Sequence, residues 1–155
     1  MATKADFTEE EWKALQSGAS GAGMLVAISD SGFWDTFKEA SALAKHVNAA
    51  HTANESALVR EIADHLHSSP FGVTASPQEV EQGTFDSLHT GIAALQAKSP
   101  EDLDAYRKFV LDIAQSVAEA AHGVAPTESA AIERIKSALA DGSAAASASP
   151  AQPPA

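Results

Sequence analysis

Apolar residues recur three and four positions apart along almost the whole chain, the spacing that lines one face of an α-helix. Trp12, Leu15, Ala19, Ala22 and Val26 predict a first helix over about 9–29. Its start is written locally: Thr8 and Glu11 form a capping box, with Phe7 placed to staple the first turn. Gly18, Gly21 and Gly23 lie inside this helix, and each costs about 1 kcal/mol relative to alanine. Close approach of a neighbouring helix backbone would offset that cost. A phosphate-binding loop would not, because it requires a strand-turn-helix setting.

The pattern continues after the break at Asp30-Ser31-Gly32. Phe33, Phe37, Ala40, Ala44 and Val47 predict a second helix that fades near His51. Asn54 reads as the cap of a third, with Leu58, Ile62 and Leu66 inward. After a connection from Ser68 to Ala75, Ser76-Pro77-Gln78-Glu79 opens a fourth helix carrying Val80, Phe85, Leu88, Ile92 and Leu95. Ser99-Pro100-Glu101-Asp102 repeats that signal ahead of Leu103, Tyr106, Val110, Ile113, Val117 and Ala120, with Gly123 as the stop. A sixth helix over about 127–140 holds Ile132, Ile135 and Leu139. No stretch alternates with period two long enough to predict a strand. The expected fold is therefore all-α: one compact domain of about six helices over 7–140, with the first and fifth at its centre. Residues 141–155, rich in Ala, Ser and Pro and without a large apolar side chain, are expected to form a disordered tail.

Composition narrows the function classes. The 155 residues suffice for one core without staples, and the absence of cysteine excludes disulfides, thiolate metal sites and cysteine nucleophiles. The first residues lack the pattern of a secretory signal, and the longest apolar run, 23–28, falls far short of the ~20 residues of a membrane span. A cytoplasmic protein is the expectation. A formal net charge of −11 argues against nucleic-acid binding, which needs clustered Lys and Arg. Between Glu61 and Ala97 the acids are Glu61, Asp64, Glu79, Glu81 and Asp86, with no Lys or Arg. That surface suits a protein partner with a basic surface or a divalent cation, or it is a solvated face that keeps the protein soluble.

Few residues combine into recognisable chemistry. The six histidines show no H-E-x-x-H spacing, and no G-x-S-x-G elbow is present. Paired carboxylates such as Glu101-Asp102 fall in first turns of helices, where the macrodipole favours acids for stability alone. What remains is a faint internal echo: Val26 to Gly32 and Val117 to Gly123 each lead from an apolar helix through a glycine into a Glu-bearing helix. Acids surround both turns, namely Asp30, Asp35 and Glu39 at the front and Glu119, Glu128 and Glu133 at the back. Such oxygen ligands suit hard divalent cations; ordinary helix punctuation produces the same pattern.

Val117 to Leu139, and in the same way Val26 to Glu39, resemble the two halves of the TerB-like family of tellurite-resistance proteins. The resemblance implies an all-helical fold, a role in bacterial stress responses, and metal binding through acids near the turns. Carried onto this chain, it implies Asp30, Glu39 and Glu128 as ligands of a divalent metal ion, with His122 where the family has Asp. An imidazole there shifts the preference toward Zn²⁺-like ions. Three functions follow as expectations. The first is a non-enzymatic bacterial interaction or scaffold module, metal-dependent or not. The second is a structural protein that self-associates through Gly18, Gly21 and Gly23. The third is a metal-dependent enzyme at the Asp30 and His122 turns.

Overall fold

The computed structural model describes residues 2–29, 56–66, 71–72, 74–120 and 126–147. Among them are five α-helices and no strand: α1 (Glu9–Ser29), α2 (Ala57–Asp64), α3 (Pro77–Lys98), α4 (Leu103–Ala120) and α5 (Pro126–Ser147). The helix expected over 33–51, with Trp34, lies outside the described residues. No described helix is long and apolar enough to cross a membrane.

The start of α1 forms as its sequence dictates. Thr8 donates its N–H to Glu11 Oε2 at 2.7 Å, and Glu11 donates its own to Thr8 Oγ1 at 3.2 Å. The Phe7 and Trp12 rings meet with centroids 6.3 Å apart, closing the staple. Beyond this turn α1 is buried on every side from Ser17 to Ala27. A helix apolar all round belongs inside the domain rather than on its surface, and α1 touches each of the other four helices.

The glycines decide which neighbour comes closest. A methyl group on Gly18 would meet Leu88 Cδ2 and the Tyr106 hydroxyl, both at 2.9 Å, and one on Gly21 would meet Thr84 Oγ1 at 2.4 Å. In return, one on Gly91 of α3 would meet Leu15 Cδ2 at 3.0 Å. The two helices thus interlock through absent side chains, and α1–α3 is the most extensive pairing in the fold. The expected centre of first and fifth predicted helices, here α1 and α4, needs that amendment. α4 still supplies Tyr106, Phe109, Val110, Ile113 and Val117 to the core. Tyr106 is fully buried and donates its hydroxyl to the Leu15 carbonyl at 2.8 Å, pinning α4 to α1.

Three boundaries differ from the local signals. The cap of α2 is Ser56, whose Oγ accepts from Val59 N–H at 3.2 Å, and Asn54 lies outside the described residues. Ser99 does not open α4 through a capping box, because its N–H already donates to Leu95 O at 2.8 Å and ends α3. Its hydroxyl instead donates to Asp102 Oδ2 at 2.6 Å, and Pro100–Asp102 is a 3-10 turn. Asp102 Oδ1 also accepts from Ser56 Oγ at 2.8 Å, so one carboxylate ties the starts of α2 and α4. Finally, α5 runs to Ser147, seven residues into the expected tail. The run of alanines after Asp141 has the highest helix propensity, and one glycine at about 1 kcal/mol does not end such a helix.

Candidate functional site

The acidic surface spreads over two helices. Glu61 and Asp64 stand on α2, which packs on α1 and α4; Glu79, Glu81 and Asp86 stand on α3, which packs on α1 and α5. Their environments differ. Glu61 Oε2 accepts the Lys4 N–H at 3.2 Å, fastening the N-terminal 3-10 turn Lys4–Asp6 to α2. Glu79 completes the capping box of α3: it accepts the Ser76 N–H at 2.7 Å, and Ser76 Oγ accepts the Glu79 N–H at 3.3 Å. The Ser76 N–H, followed by the Ser76 hydroxyl, holds its carboxyl below the usual range. Glu81 pairs with Arg134 of α5, whose guanidinium lies over the Phe85 ring at 5.4 Å. Asp64 is exposed. Asp86 is exposed and has no ion-pair partner among the described residues; it shares the outer face of α3 with Gln82, His89, Thr90 and Ala93.

The expected metal ligands are not assembled in the described part. Asp30, Glu39 and His122 lie outside it. Glu128, the one that is described, is fully buried in the first turn of α5. Among the described residues no three His, Asp or Glu side chains come close enough to hold a metal ion. His65 Nδ1 lies 2.9 Å from the Glu61 carbonyl, and His89 is exposed.

The structure also corrects the small-residue route to self-association. Gly18, Gly21 and Gly23 are buried, and the space beside Gly18 and Gly21 is filled by Leu88, Thr84, Tyr106 and Phe71 of the same chain. The close approach required by Gly18 and Gly21 is satisfied within the chain, and no exposed glycine face remains on α1.

Sequence reasoning missed an open groove between α4 and α5. It holds about 330 Å³ and is lined by Gln115, Glu119, Ser129, Ile132, Glu133 and Lys136. Lys136 Nζ donates to Glu133 Oε1 at 2.7 Å within it. Glu119 and Glu133 carried a signal, since both flank the rear turn of the internal echo. Gln115, Ser129 and Lys136 carried none: their spacing is that of any exposed helix face. The groove presents both polar and apolar surface and is mixed in charge, with no nucleophile–base pair.

Several cations elsewhere hold the N-terminal corner and tie helices together. Lys98, at the end of α3, pairs with Glu11 and lies over the Phe7 ring at 5.6 Å, while Lys4 lies over Trp12 at 5.9 Å. The Lys98 hydrogen bond, followed by that from Thr8, holds the Glu11 carboxyl below its usual range. Arg107 Nε donates to the Leu139 carbonyl at 3.2 Å, joining α4 to α5. No family model, curated protein or solved structure matches the chain.

Proposed function

We propose that this protein is a non-enzymatic interaction module of the bacterial cytoplasm that receives a basic segment of a partner protein on its acidic surface, with the outer face of α3 as the main contact. One observation carries the reading. The exposed face of α3 presents Glu79 and Asp86 with no Lys or Arg from Glu61 until Lys98 at the helix end, in a chain of net charge −11. Such a face attracts a cationic segment and speeds its encounter. The all-helical architecture agrees with the resemblance of residues 26–39 and 117–139 to TerB-like stress-associated proteins, and that family relationship is part of the proposal.

A defined probe tests this: a Lys/Arg-rich peptide bound to the full chain, measured by fluorescence anisotropy at two salt concentrations. Asp64→Lys/Asp86→Lys is expected to weaken binding at least tenfold. Glu9→Lys/Glu10→Lys, with the same change in net charge on the first turn of α1, is expected to cost about twofold, a long-range effect that salt screens. Equal losses in the two variants would refute a localised surface and leave only the overall charge.

A further inference from the structure

We draw no further inference here: the strongest candidate, the open groove between α4 and α5, is walled largely by exposed side chains of ordinary helix faces, with Glu133 already paired to Lys136, and nothing in the structure shows what covers it.

Discussion

The α1–α3 and α4–α5 pairs solve the same packing problem in opposite ways. Along α1–α3 the contact is made by missing side chains: Gly18 takes Leu88, Gly91 takes Leu15 and Gly21 takes Thr84, leaving no space for a methyl group. Along α4–α5 long side chains set the distance, Arg107 reaching the Leu139 carbonyl, and an open groove remains between Glu119 and Lys136. The lesson is where tolerance resides. A close-packed interior transmits any added volume to its neighbours, whereas a groove with water on one side absorbs it. Added volume is absorbed where the helices stand apart, and the rigid frame lies where they touch.

One methyl group added to each pair should have very different consequences. Gly21→Ala should gain about 1 kcal/mol of helix propensity and still destabilise, because Thr84 Oγ1 would be only 2.4 Å away and overpacking typically costs about 1–3 kcal/mol. Gly18→Ala should behave alike against Leu88 and Tyr106. Thermal unfolding should show both melting several degrees below the parent, whereas Ser129→Thr, which adds one methyl group on the exposed face of α5, should move Tm by no more than about 2 °C. A Gly21→Ala protein more stable than the parent would mean that the seam relaxes freely, and the contrast between the pairs would vanish.

A smaller effect is expected between α1 and α4. Tyr106→Phe keeps the ring in its place and removes only the hydroxyl that donates to Leu15 O. The loss should be about 1 kcal/mol, the net worth of a neutral hydrogen bond, since the Leu15 carbonyl remains inside a helix. Burial pushes the Tyr106 phenol above its ordinary range, so the group stays protonated throughout any practical titration. The difference between Tyr106→Phe and the parent should therefore be constant between pH 6 and 9. A difference that changes across that interval would show that the hydroxyl reaches solvent.

What was legible in advance follows the range of each interaction. The box of Thr8 and Glu11, the staple of Phe7 and Trp12 and the cap at Ser76 involve residues within one turn of each other, and they formed as read. The three glycines of α1 showed that a helix must approach closely, but nothing local named α3, since Leu88 and Thr84 are far along the chain. Ser99 misled because its N–H was already committed to the preceding helix, a conflict visible only once α3 had an end. The acids Glu61 to Asp86 were legible as charge but not as a surface. Arg134, which neutralises Glu81, comes from α5, and Lys4, which engages Glu61, comes from the N-terminus. The groove was illegible for the same reason: exposed positions on two helices acquire meaning only when the helices are placed side by side.

The smallest expected effect comes from the helix starts, which the seam does not support. Hydrogen bonds to the ionised form hold the Glu11 and Glu79 carboxyls below their usual values, Lys98 and Thr8 acting on the first and Ser76 on the second. A carboxyl whose folded value lies below its unfolded value contributes stability above the unfolded value and loses it as pH falls through the folded one. Tm should therefore decline as pH drops from about 5 toward 3, the interval below the ordinary glutamate range. Glu79→Gln should lower Tm slightly at pH 7 and flatten that decline, because the amide still accepts the Ser76 N–H but no longer titrates. Glu11→Gln should do the same and also lose the attraction of Lys98, which salt would otherwise screen. Combining Glu79→Gln with Gly21→Ala should give additive losses at pH 7, since the Glu79 carboxylate bonds Ser76 whereas Gly21 meets Thr84, more than two turns further along α3. Non-additivity would mean that the cap and the seam act as one unit, and the separation between rigid frame and tolerant surface would have to be drawn elsewhere.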